Sequence, residues 1–446
     1  MKVFLQILGP ALGILILTFL GWHILSAQSI AEPGDQLPDF KGEFLAISDA
    51  DMIVPAYANG ITNKVAGVED SLIWVTTEDG RPRIRSRIHA TNSVISWPAI
   101  LEWHPAWRYA YVAETRGKIE VGAEQMKQVF DDFPEGRLLS VFDYSDPTAP
   151  VTVQEYPLGI NLQNVSLNRS GDLLAAGTTA HGEEICVATL KEGLVDQVFT
   201  FTDSEVDRTD TRDGGVRTVE FHPTEDVIAT NLNGKSVAFH RVIREDGGIK
   251  LKRTGKSVSV DKKLSVGNWH PSGKFFIVAN VNWGAGFLGA AFNRRGHLVS
   301  VAYDPEGGHR ILSRAKVGLS PEGFDISPDG RYAVAVNMRR TYAPENLNFM
   351  PATGSSSLSL VRIDGQTGEL KVMGNQYGFA GALPEDAVFD HESNSIAVAV
   401  YHAKDAVFPN QGWIDFWEIE NDHLVKTKTQ LKVTRGVHNL LLLPRQ

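Results

Sequence analysis

The chain has 446 residues, a formal net charge of −10 and a hydrophobic fraction of 43%. An acidic body without a basic stripe lacks what a phosphate backbone requires, so nucleic acid is not an expected partner. A single cysteine, Cys186, excludes an internal disulfide, and 41 Gly with 21 Pro suit a turn-rich β chain.

In chain order, the first feature is Val3–Leu25, apolar except for Gln6, Thr18 and His23. Its length suits either a signal peptide or a single membrane anchor, and both readings stay open. Either way the remainder is expected outside the cytoplasm, periplasmic or secreted, as a monomer with a possible membrane tether. Gln28–Lys41 is polar, contains Pro and Gly, and reads as a linker. The expected organisation is therefore 1–27 as signal or anchor, 28–41 as linker, and 42–446 as one folded unit. Short β-rich segments follow at Phe44–Ser48, Leu72–Thr77 and Ile84–His89.

From Leu101 one pattern recurs. A short alternating strand leads into a polar turn of the His-Pro-x-Gly or Ser-Pro-Asp-Gly kind, and a continuous apolar strand follows. The turn position falls at His104, Asn168, His222, His270, Ser327 and Asp390, with a truncated seventh copy near Leu443. Such a period marks a repeat architecture. Each copy continues into a hairpin, as in SVAFHRVI, REDGG and IKLKRTG of the third. Four strands per copy make the blade of a β-propeller. The seventh copy stops after one strand, which would leave an open edge. The N-terminal strands can complete it. The expected fold is all-β, a seven-bladed propeller closed by both chain ends in one blade. One short helix is expected at Gly122–Phe130.

Local motifs add little chemistry. Gly284-x-Gly286-x-x-Gly289 follows a strand but precedes another strand, so it reads as a glycine-rich loop and not a dinucleotide site. Asp207, Asp210 and Asp213 lack the spacing of a calcium loop. Neither a metal nor a cofactor is expected. His104, His222 and His270 hold the repeated turn position, so a structural role is expected for them.

Topology gives a better signal. Loops from strand two to three, and from one blade to the next, converge on one face of a propeller, and sites are built on such loops. Here they would bring Glu114, Arg217, Arg294, His297, Glu322, Arg339, Glu385, His402, Arg435 and His438 to one mouth. Mixed Arg, His and Glu suit a polar or anionic small molecule, or acid–base work on it. Glu322 and Glu385 arise from equivalent strings, LSPEG and ALPED, and should hold equivalent places near the axis.

His104 to Glu114, HP-x-x-x-YAYV-x-E, resembles a blade of the bacterial lactonase propellers, and Ser327 to Asn337, SPDGRYAVAVN, resembles their repeat and that of YVTN proteins. Asn293 to His297, NRRGH, is similar to a string of the same family. The resemblance implies Glu114 and His297 as catalytic groups in hydrolysis of a lactone or ester. The family's Gly-Pro-Arg-His string is absent, the nearest being Arg435-Gly-Val-His438. Two readings result. The first is an exported propeller binding a polar small molecule or a protein partner through the mouth; the second is a lactonase-like hydrolase.

Overall fold

The computed structural model describes residues 30–31, 33–34, 36–50, 67–90, 97–118, 132–209, 215–283, 293–343, 352–404 and 407–445. The apolar run Val3–Leu25, the helix expected at Gly122–Phe130, the string Gly284–Gly289, and Asp210 and Asp213 lie outside them. The described regular structure is β, and none of it is a helix long and apolar enough to cross a membrane.

The strands form seven antiparallel sheets of four, one after another in the chain. Blades one to six open with Leu101–Trp103, Ser166–Leu167, Val216–Phe221, Leu264–Trp269, Pro321–Ile326 and Ala387–Phe389. In the seventh, Leu440–Leu442 is the inner strand, and Phe44–Ser48, Ser71–Glu78 and Arg81–His89 follow outward. Phe44 pairs with Leu442 and Ala46 with Leu440. The two chain ends thus close one blade, as the truncated seventh repeat implies, and the ring has no free inner edge.

The second strands Val227–Leu232, Phe275–Asn280, Tyr332–Asn337 and Ser395–Val400 are buried at every position. Their continuous apolar sequence follows, since each strand is covered on both faces by neighbouring blades. The outer strands are more exposed, and Arg81–His89 alternates between solvent and the sheet beneath.

Neighbouring blades are laced at two levels. Near the mouth-side end of the first strands, polar side chains reach the next blade's backbone. Asn164 donates to Val219 O at 2.7 Å and accepts from Val219 N at 3.0 Å. Asp386 Oδ2 accepts from Leu440 N at 2.8 Å; further along its strand, beside the turn, Asp325 Oδ2 accepts from Phe389 N at 2.8 Å. At the opposite end the turn histidines do the same. Nε2 of His104, His222 and His270 meets the turn carbonyls of Gly171, Gly273 and Gly330 at 2.7, 2.9 and 3.0 Å. Their Nδ1 atoms accept local backbone N–H groups, so each ring is a neutral Nε2–H tautomer. Burial lowers all three pKa values. Gly273 has φ +69°, and a Cβ there would strike the His222 ring. A glycine at this turn answers both demands.

The structural reading of these histidines has a measurable consequence. His222→Ala empties the space against Gly273 and leaves the Thr224 and Glu225 N–H groups without their acceptor. A loss of about 2–4 kcal/mol is expected, read as a lower urea midpoint, with any ligand binding retained.

Candidate axial site

Counting five residues back from each turn position gives Ala99, Gln163, Arg217, Ser265, Glu322, Glu385 and His438. These are equivalent places, one per blade, at the mouth-side start of the inner strand. The structure links them in sequence around the axis. Arg217 Nη1 donates to Leu264 O at 2.6 Å, and Ser265 Oγ donates to Glu322 O at 2.7 Å. Glu322 and Glu385 interact as like charges. Glu385 Oε2 then pairs with His438 Nδ1, both side chains fully buried.

The close approach of blades five and six has a local cause. At Gly323 a Cβ would collide with the Glu385 carbonyl oxygen. Any larger residue would push the two carboxylates apart, so Gly323 sets their spacing.

Glu322 is the unusual member. It is 7% exposed, and no hydrogen bond reaches its carboxyl from the described residues. Burial first, and the neighbouring Glu385 second, hold its pKa well above the ordinary carboxyl value. Its proton is therefore held to a higher pH than that of a free carboxyl. Asp386, next to Glu385, is raised in the same way by burial, against the hydrogen bonds from Leu440 and Asn439. On His438 the other nitrogen, Nε2, is buried and has no hydrogen-bond partner among the described residues. The cluster thus offers a proton donor, Glu322, and an imidazole oriented by a carboxylate.

A segment absent from the repeat logic covers part of the axis. Trp97 and Pro98 precede the first blade. Arg217, in the third blade, lies over the Trp97 ring at 5.2 Å from its centroid. Pro98 lies against Gly323 of the fifth blade, and its carbonyl accepts from Asn439 of the seventh at 3.2 Å. Two residues of the chain therefore touch three other blades. Nothing in composition or period marks them, because they belong to a connection and not to a blade.

The remaining predicted residues fall elsewhere. Arg339 is buried on the segment joining strands two and three of the fifth blade, and its Nη1 donates to Ser355 Oγ at 2.5 Å. Burial and the adjacent Arg340 push its pKa down to about 10. Arg340, also buried and missed by the sequence reading, donates to Asn293 O at 3.3 Å. Arg435 is buried with its Nε on Ala50 O at 3.2 Å. His402 closes its own loop: Nε2 meets Pro409 O at 2.6 Å and Nδ1 accepts from Lys404 N at 2.9 Å. Arg294 is exposed beside the third strand of the fourth blade.

Glu114 and His297 sit in the first and fourth blades, which are not adjacent. The Glu114 carboxylate accepts from Arg137 N at 2.7 Å and Leu138 N at 3.1 Å, capping the start of its own blade's third strand. His297 pairs with Asn280 and Lys316 within its sheet. Its pKa is lowered by burial and then by Arg314.

No family model matches the chain, and no curated protein matches it. Solved structures do. A candidate 6-phosphogluconolactonase from Bacteroides uniformis shares 13% identity at a TM-score of 0.62, over 90% of this chain and 100% of that one. A second, from Bacteroides fragilis, shares 14% at 0.61, over 90% and 98%. The periplasmic gluconolactonase of Pseudomonas aeruginosa shares 14% at 0.62, over 90% and 99%. What they share with this chain is the fold. The seven-bladed ring is common to all of them, and it extends over nearly the whole length of each.

Proposed function

We propose that this propeller works outside the cytoplasm and binds a small polar molecule at the mouth-side end of its axis. The observation that carries the reading is Glu322, a buried carboxyl beside Glu385 that no hydrogen bond reaches from the described residues. A buried polar group left without a partner costs stability, and a ligand that supplies one recovers it. A hydroxylated compound offers both donors and acceptors to Glu322 and His438, and Arg217 adds a cation at the same level of the axis.

A second reading rests on the Glu385–His438 pair. An imidazole held by a carboxylate, with Nε2 unengaged, is the arrangement of an oriented general base. Glu322, whose carboxyl keeps its proton to higher pH than usual, is the group of this cluster suited to protonate a leaving oxygen. Lactone or ester hydrolysis uses those two functions, and three neighbouring structures carry 6-phosphogluconolactonase or gluconolactonase descriptions. In this reading the axial cluster acts, and Glu114 supports the blade.

Calorimetric titration of the purified chain with gluconolactone and its open aldonate tests the first reading, and turnover of a lactone panel tests the second. Glu322→Gln and His438→Gln are expected to lower affinity at least tenfold, while Glu114→Gln costs only stability. If Glu114→Gln or His297→Ala abolishes turnover and the axial variants do not, the site lies elsewhere.

A further inference from the structure

The segment before the propeller has a defined route. Ile30 bridges in parallel to Gly378, and Ala31 N donates to Gly378 O at 2.7 Å. Gly34 N donates to Lys426 O at 2.7 Å. Gln36, Asp39 and Lys41 then reach Glu420, Glu418 and Asp390. Gly378 lies near the end of the outer strand Leu370–Ala380, where the fifth blade runs into the mouth-side loop. Asp390 and Glu420 lie at turns on the opposite face. The chain therefore meets the propeller at the mouth-side rim, descends across blades five and six, and enters the seventh from the far side.

This route fixes the point at which the described chain meets the ring, Ile30 at the mouth-side rim. The apolar run ends at Leu25, five residues before Ile30. Five extended residues span at most about 18 Å. The outer strand beside Ile30 has 11 residues and is therefore about 36 Å long. The end of the apolar run is within reach of the mouth rim and out of reach of the opposite face.

The same rim carries an amphipathic tip. Val407 and Phe408 are 76% and 56% exposed on the segment joining strands two and three of the sixth blade. Pro409 and the exposed Lys432 line the same groove, together with Arg87, which is paired with Asp49. Apolar side chains flanked by cations suit the boundary between acyl chains and anionic headgroups. Exposed apolar residues also occur on the opposite face, at Trp107 and Val151, so exposure alone does not choose a side. The reach of the chain does.

We propose that the mouth-side rim of blades five and six lies against a lipid bilayer in which Val3–Leu25 is held, with Val407 and Phe408 entering the interface. This rests on the anchor reading of Val3–Leu25 and not on the identity of any ligand. The axial site then faces the membrane surface, and its ligand arrives along that surface.

The full chain, with Cys186 changed to Ala, is placed in vesicles of phosphatidylethanolamine and phosphatidylglycerol containing a doxyl-lipid quencher. A fluorophore is attached at Val407→Cys or at Trp107→Cys. Val407 is 76% exposed; Trp107 stacks on Tyr109, so the variant at 107 is first checked for an unchanged melting curve. The expected result is co-flotation with the vesicles and at least twofold stronger quenching at 407 than at 107. Stronger quenching at 107 overturns the orientation. No quenching at either position in floated protein overturns the bilayer contact. A chain that does not float overturns the anchor on which the proposal rests.

Discussion

Removing residues 440–446 is expected to leave a chain that does not reach a stable fold. Leu440–Leu442 is the inner strand of the seventh blade, paired with Phe44–Ala46. Without it that sheet loses its first ladder and presents a bare inner edge to the axis. Leu440 and Leu443 are 5% and 3% exposed, and Leu441 and Leu442 are half-buried. At about 1.5–3 kcal/mol for each fully buried leucine, the loss is comparable with the whole stability of a typical domain. Aggregated material on size exclusion, where the full chain is monodisperse, is the expected outcome. A truncated chain with an unchanged melting curve would show that the ring does not depend on this closure.

Glu322→Gln should act in the opposite direction on stability. The folded chain holds the Glu322 proton at a pH where an unfolded carboxyl, with a pKa of about 4.3, has lost it. The folded state therefore binds more protons, and stability falls as pH rises from about 4 through the raised folded pKa. The glutamine variant lacks this slope. It should match the parent near pH 4 and melt higher at pH 8, by about 2 °C or more. Part of the slope should remain, because Asp386 is raised well above the carboxyl range, and Glu102 and Asp325 to about 7, each by burial. His104, His222 and His270 oppose them: their folded pKa values are depressed, so their contribution is present above about 6.5 and lost as pH falls below it. Thermal melts of both proteins across pH 4–8 read the difference. Equal melting at pH 8 would mean that Glu322 is ionised and hydrated in the folded chain.

The repeat made the fold readable because one chemical position recurs. His104, His222 and His270 mark the turn, and the missing strands of the seventh copy demand a partner that only Phe44–His89 can supply. The same register reaches into the site. Arg217, Glu322, Glu385 and His438 stand at one equivalent position, and the strings LSPEG and ALPED mark Glu322 and Glu385 as equivalents. What the register could not convey is contact made outside it. Trp97 and Pro98 cross the axis from a connection with no periodic signature. His402 and Glu114 sit in mouth loops, yet their polar atoms are engaged by Pro409 O, Lys404 N, Arg137 N and Leu138 N. A charged residue in a loop and a charged residue capping that loop look the same in sequence. Arg340 was passed over for the same reason, since its neighbour Arg339 carries an identical charge.

We propose that ligand chemistry resides at the axis, on Glu322, Glu385 and His438. Diffraction from crystals soaked in gluconolactone tests it most directly. Density for the sugar lactone or its opened acid within hydrogen-bond distance of the Glu322 carboxyl and His438 Nε2 is the result this account predicts. Density at Glu114 or His297 instead, with the axis unchanged, would contradict it.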